Sequence, residues 1–305
     1  MQRLAIQITG HSRNFEQNLD MWKLHIYDSL PDWKIDVYIH MWDVEGIKVP
    51  GPISTRDPNI PDIPPEFHGI YLDTPLSDFN KIYKTYSPVS MVVEPYTNEL
   101  HNVFCKITAP WFIARDLECV REEVYNDSRL WAWHKSHRLT AQVSQYYKWY
   151  MCNQLRKQHE LITGIKYDKV IRTRFDVTFL SNIGNAFADD SLSFPPGGSW
   201  FPTEELSDYS VVGTPDHINV LCDLYRNLDV VFEDAMLEGD ISRCINPHKL
   251  YWWYLRRNNI PVRIAPNFYC EINRSSWGYE TDPDTGVVKI NPLLGPELPE
   301  NYTFS

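Results

Sequence analysis

The chain has 305 residues, a formal net charge of −11, and 43% hydrophobic and 14% aromatic residues. That apolar share excludes a disordered chain, and the length supplies core for one large α/β domain or two small ones. The acidic balance, with no long run of Lys or Arg, argues against binding along a nucleic-acid phosphate backbone.

Leu4 to Thr9 alternates in hydropathy and runs into Gly10-His-Ser-Arg-Asn14. This predicts a strand, a glycine turn and a polar loop, and not a signal peptide. Leu19, Trp22, Ile26 and Leu30 fall at helical spacing across Glu16 to Leu30, and Pro31 stops that helix. Trp33 to Trp42 reads as a second strand, with Asp36, His40 and Asp43 near its polar positions. Strand, loop, helix and strand at this spacing make a βαβ unit and hence a parallel sheet, whose ligands bind at the carboxyl ends of the strands.

Residues 44–68 are proline-rich and predict a long irregular excursion. Gly69 to Leu72 and Ser90 to Glu94 are expected as short strands, and Pro110 to Val124 as a helix. Thr140 to Ile162 is the longest helical pattern; Gly164 ends it. Gln145, Tyr146, Tyr147 and Lys148 lie on this helix, either lining a pocket with their polar members or forming a mixed core and surface face.

Tyr167 to Asp176 follows as a strand whose Val170 and Ile171 suit a buried pleat. Arg172, Arg174 and Asp176 alternate, so they are expected on one side. Two cations and an anion at the end of a buried strand are costly unless paired. A metal-bound diphosphate would satisfy all three, with Asp176 on the cation and the arginines on phosphate oxygens. A structural Arg–Asp cluster is the alternative.

Ala186 to Trp200, with Pro195-Pro-Gly-Gly198, is loop-like. Tyr209 to Val212 reads as a strand, Asp216 to Asp229 as a helix, Pro247 to Asn258 as an aromatic helix and Ile260 to Ile264 as a late strand. The tail from Asp282 is expected to wrap the surface, and Asp282-Pro-Asp284 is turn chemistry. The six cysteines are widely spaced with no C-x-x-C pair, which argues against zinc and for free thiols in a reducing, cytoplasmic setting. The N-x-S/T matches at Asn126, Asn273 and Asn301 then carry no meaning. No segment approaches the ~20 apolar residues of a membrane span. The 11 Trp and 18 Tyr hint at a glycan or nucleotide ligand, although most rings of this kind are core.

Four segments carry a resemblance: Gly10-His-Ser-Arg13, Asp36-Val-Tyr-Ile-His-Met-Trp42, Arg172-Thr-Arg-Phe-Asp176 and Ser207-Asp-Tyr-Ser-Val-Val-Gly-Thr214. Together they resemble the GT-A-type nucleotide-sugar glycosyltransferases of bacterial surface-polysaccharide clusters and of large phages and viruses. The resemblance implies a Rossmann-type, mostly parallel central sheet flanked by helices in one compact domain. Residues 1–180 would form the donor half, and 181–305 the acceptor-side half with a C-terminal wrap. It implies a nucleotide diphosphosugar donor and Mn²⁺ or Mg²⁺ held on Asp176. The family's first Asp is replaced here by Arg174, which can neutralise phosphate directly.

On this reading Gly10, His11, Arg13, Trp42, Asp43, Lys148, Arg172 and Arg174 are candidate donor-binding residues. Arg174 and Asp208 are candidate catalytic residues, Asp208 as a base or second metal ligand. Glu204 and Glu205 compete for that role. Tyr209 and His248 are placed on the acceptor side. The expected acceptor is a glycan. Hydroxymethylated pyrimidine DNA and a non-catalytic glycan- or nucleotide-binding module are the alternatives.

Overall fold

The computed structural model describes residues 1–13, 15–44, 76–97, 99–100, 103–104, 107, 128–187, 190–196, 206–238, 247–272, 279–281 and 288–290. The first strand, β1 (Arg3–Gly10), is an interior strand of a seven-stranded sheet. Its alternation sets two cores: Leu4, Ile6 and Ile8 enter one layer and Ala5 the other. On the first side the chain winds through a 3₁₀ turn (Phe15–Asn18), α1 (Leu19–Trp22) and a π turn (Lys23–Tyr27). The expected single helix is therefore three short windings, although Trp22, Ile26 and Leu30 are buried as their spacing requires. Two side chains pin this segment to the turn after the fourth strand and to the short strand that follows it: Asn18 Nδ2 donates to Phe175 O at 3.1 Å, and Trp22 Nε1 donates to Val177 O at 2.8 Å.

β2 (Lys34–Trp42) pairs parallel to β1. The chain returns through α2 (Phe79–Tyr86), capped by Asp78 accepting from the Lys81 N–H, to β3 (Ser90–Glu94), parallel to β2. The other layer belongs to α3 (Ser128–Thr163), whose Val143, Tyr146, Trp149 and Cys152 pack beneath the sheet. β4 (Lys169–Arg174) pairs parallel to β1 on the side away from β2, and β5 (Val177–Phe179) follows a turn. β6 (Leu192–Phe194) comes next, then β7 (Ser210–Gly213), antiparallel to β4. Behind them stand α4 (Pro215–Cys222), α5 (Leu228–Leu237) and α6 (Pro247–Arg257). β8 (Val262–Ile264) closes the edge beside β6. β9 (Cys270–Ile272) pairs with β5, and β10 (Tyr279–Thr281) with β11 (Val288–Ile290).

The order β3-β2-β1-β4-β7-β6-β8, with only β7 reversed, makes a mostly parallel mixed α/β sheet of Rossmann-like character. β6 corrects the loop expected over Ala186 to Trp200. A three-residue strand buried at both Leu192 and Phe194 is too short to register as a period. Cys152, Cys222 and Cys270 are free and buried. No described helix is long and apolar enough to cross a membrane. The expected excursion over 44–68 falls almost wholly outside the described residues. So do the Gly69–Leu72 strand, the Pro110–Val124 helix, Glu204 and Glu205, Asp282-Pro-Asp284, Cys105, Cys119, Cys244 and the three N-x-S/T asparagines.

Gly164 ends α3 at φ +71, with its N–H on Glu160 O, and a Cβ there would meet no atom within 4 Å. Gly164→Ala thus changes backbone strain without a clash. We expect a loss of about 1–2 kcal/mol in urea unfolding; an unchanged midpoint would contradict the left-handed cap.

Candidate functional site

The parallel strands end on one common edge. Gly10 pairs with Met41, Trp42 with Glu94, and Thr9 with Arg174. Because β2 and β3 extend to one side of β1 and β4 to the other, the order reverses between β1 and β4, the switch point where open α/β sheets bind ligands. β7 arrives from the opposite direction, and its Ser210 pairs with Thr173, so Asp208 and Tyr209 reach the same edge. The backbone leaving β1 is left-handed at Gly10 (φ +100) and again at Arg13 (φ 37). Glycine adopts this freely, and a Cβ at Gly10 would meet no atom of the described residues within 4 Å. Arg13 holds the same region against its side chain's preference, a strain that concentrates at functional sites.

The turn brings Arg13 onto the end of β4. Arg13 Nη1 donates to Asp176 Oδ2 at 2.6 Å. Arg174 donates to the same carboxylate through both arms of its fork, Nε to Oδ1 at 2.8 Å and Nη2 to Oδ2 at 2.7 Å. Asp176 is 1% exposed, Arg174 15% and Arg13 37%. Burial alone would raise the Asp176 carboxyl, but Arg174 and Arg13 outweigh it and hold its pKa down at about 2. Burial also opposes the charge on Arg174, and Asp176 with Asp208 more than offsets it. Asp208 stands across the pair, its Oδ2 3.5 Å from Arg174 Nη1 and accepting from Gln145 Nε2 at 3.1 Å. Its carboxyl would be raised by burial but is lowered by Arg174, His248, Gln145 and Arg172.

Arg172 lies on the same face, deeper. It is fully buried, stacks 3.8 Å above Trp149 and donates through Nη1 to Asp208 O at 2.9 Å. Burial pushes its pKa down to about 10. Its position beneath Asp208 shapes the floor of the site and departs from the expected phosphate contact. His248 Nδ1 donates to Leu206 O at 2.6 Å, and its charge reaches Asp208. Tyr209 lies close enough to Arg174 to influence its charge.

A second group adjoins the first at the ends of β2 and β3. Lys148 is fully buried: its Nζ donates to Glu94 Oε2 at 2.8 Å and Met41 O at 3.1 Å, and sits 3.3 Å from the Trp42 ring centroid. Burial pushes Lys148 down to about 8, against the pull of Glu94. Trp42 is 1% exposed, so neither residue presents itself to a ligand as expected from the sequence. Their burial follows from packing under Tyr96, Phe104 and Tyr147, which local spacing does not reveal. Asp43 Oδ1 accepts the Tyr96 N–H at 3.0 Å, a bond that ties the β2 end to the β3 end. His11 joins the two groups, with its ring centroid 6.5 Å from Trp42 and 6.3 Å from Tyr96, and its Nδ1 donates to Val44 O. Burial, then Arg13, push its pKa down to about 3, so it is neutral at physiological pH. His40 is likewise a buried, neutral core histidine. Asp36 sits at the opposite edge, where it accepts from Tyr167 and faces Arg3.

Sequence reading passed over Glu94, the partner of Lys148, and Trp149, the platform of Arg172. Both are ordinary strand and helix residues until the sheet and α3 meet.

The residues at Asp176 do not fit a divalent cation. Three guanidinium hydrogen bonds already fall on its two oxygens. Among the described residues, Arg13, Arg172 and Arg174 against Asp176 and Asp208 sum to a charge of +1. Among the described residues no three His, Cys, Asp or Glu side chains gather to hold a metal. Comparison with known families matches no family model, and comparison with curated proteins finds no significant match.

Asp176 has its pKa lowered from 3.8 to about 2, so its stabilisation is present above the unfolded value and is lost as pH falls through about 2. That shift corresponds to about 2 kcal/mol. Asp176→Asn is expected to lose about 3 kcal/mol at pH 7, because Arg174 keeps only a neutral partner. The gap to wild type in urea unfolding should narrow between pH 4 and 2; a gap constant with pH would place the carboxylate outside the ion pair.

Proposed function

We propose that the chain is a glycosyltransferase that moves a sugar from a nucleotide diphosphosugar to a hydroxyl, with a glycan as acceptor and a GT-A arrangement of the sheet. The observation that carries this reading is the convergence of Arg13 and Arg174 on the carboxyl edge at the β1–β4 switch point. Support for the fold comes from the parallel β3-β2-β1-β4 half, which matches the Rossmann-like donor half that the resemblance implies.

In the transfer, the anomeric carbon–oxygen bond to the diphosphate breaks and a bond to the acceptor oxygen forms. The bond electrons leave with the nucleoside diphosphate, and the acceptor hydroxyl gives up its proton. Negative charge grows on the departing phosphate oxygen, where guanidinium forks act most strongly. Asp208, across from Arg174, is the carboxylate at this edge for the proton. Neutral His11 leaves a ring nitrogen able to accept from a ligand hydroxyl, since its Nδ1–H goes to Val44 O.

The lowered pKa of Asp208 makes it a weak base and favours a second reading, a module that binds the donor without turnover. Nucleoside diphosphate release from a panel of nucleotide diphosphosugars, with and without glycan acceptors, separates the two. Transfer is expected with one donor, and Arg174→Ala should lower its rate by about 10²-fold or more. Binding without release would favour the module, and a panel in which no donor binds would sink both.

A further inference from the structure

We infer that the donor diphosphate is held directly by the guanidinium groups of Arg13 and Arg174, positioned by Asp176, without a divalent cation; the inference rests on the donor-site reading above. Asp176 accepts three hydrogen bonds from two arginines, and its geometry is that of a fork–fork pair closed by a second guanidinium. A cation on Asp176 would have to share its two oxygens with these three hydrogen bonds and would raise a charge that, among the described residues, is already positive. A diphosphate has the opposite relation to the site, since it brings acceptor oxygens and negative charge to it.

Lys148 is buried on Glu94. Arg172 is fully buried, stacked on Trp149 with Nη1 on the Asp208 carbonyl, and its Nε and Nη2 have no hydrogen-bond partner among the described residues, so it lies beneath the site and not on its surface. Among the described residues, Arg13 and Arg174 are the guanidinium groups of this cluster with any exposure. Arg13 is the more exposed, and its Nη1 donates to Asp176. Arg174 lies behind it, with Nη1 turned to Asp208. Asp176 touches no substrate in this arrangement; it fixes the angle between the two forks.

Titration calorimetry with UDP, GDP, CDP, ADP and dTDP tests the inference, each in EDTA and in Mn²⁺. One nucleotide is expected to bind in EDTA with a Kd within about threefold of that in Mn²⁺. Arg13 is the variant of choice, because it is partly exposed and its loss leaves Asp176 paired to Arg174. Arg13→Met should weaken binding in EDTA by about tenfold or more, and Arg13→Lys should restore only part, since the fork is lost. Asp176→Asn, with folding verified by its urea transition, should weaken binding in EDTA, where no metal contributes, and Asp176→Glu should recover some of it. Binding that falls by more than about tenfold in EDTA, returns with Mn²⁺ and loses that metal response in Asp176→Asn would make Asp176 a metal ligand. That outcome overturns the inference and leaves the transferase reading standing. No binding by any of the five in either buffer overturns the reading itself.

Discussion

Two guanidinium groups share one buried carboxylate at the carboxyl edge of the sheet, and the arrangement of that edge depends on them. Removing Asp176 and Arg174 from water costs several kcal/mol per ion, which only a close, fully hydrogen-bonded pair offsets. The bond geometry meets that demand, with each arm of the Arg174 fork on a separate oxygen. Each partner is delivered by a different device. Arg174 is the last residue of β4, Asp176 follows in the turn before β5, and Arg13 is swung inward by the left-handed turn after β1. Asn18 and Trp22 hold that turn's continuation against Phe175 and Val177, on either side of Asp176.

A second ion pair joins buried Lys148 to partly exposed Glu94. Lys148 is covered by Trp42 and Tyr147, and Tyr147 donates to the other Glu94 oxygen at 2.8 Å. Lys148 is buried and the Glu94 side chain is 26% exposed, and the pair ties α3 to the end of β3. At Asp176, among the described residues, the cations outnumber the anions, and the Arg13 side chain is more than a third exposed.

The parallel half of the fold was legible because its signals are local. Alternation in Leu4 to Thr9, the apolar run of β2 and the glycine stop after α3 each lie within one element. β6 and β9 were not legible, since three residues hold too little pattern and their burial is conferred by neighbours far along the chain. The site divides the same way. Arg172, Arg174 and Asp176 stood out as charges ending a buried strand. The inward roles of Lys148, Trp42 and Arg172 were hidden, because nothing in their own segments tells that Glu94 and Trp149 are beside them.

By itself the sequence determined that a parallel sheet would carry two arginines and a carboxylate to its binding edge, because strand period and chain direction are local properties. Only the tertiary structure decided what those charges meet. Arg13 reaches Asp176 across 163 positions, and Asp208 reaches Arg174 from an antiparallel strand. Whether Asp176 holds a cation or a pair of arginines depends on the charge within a few ångströms, and that sum is fixed by which chain segments fold together.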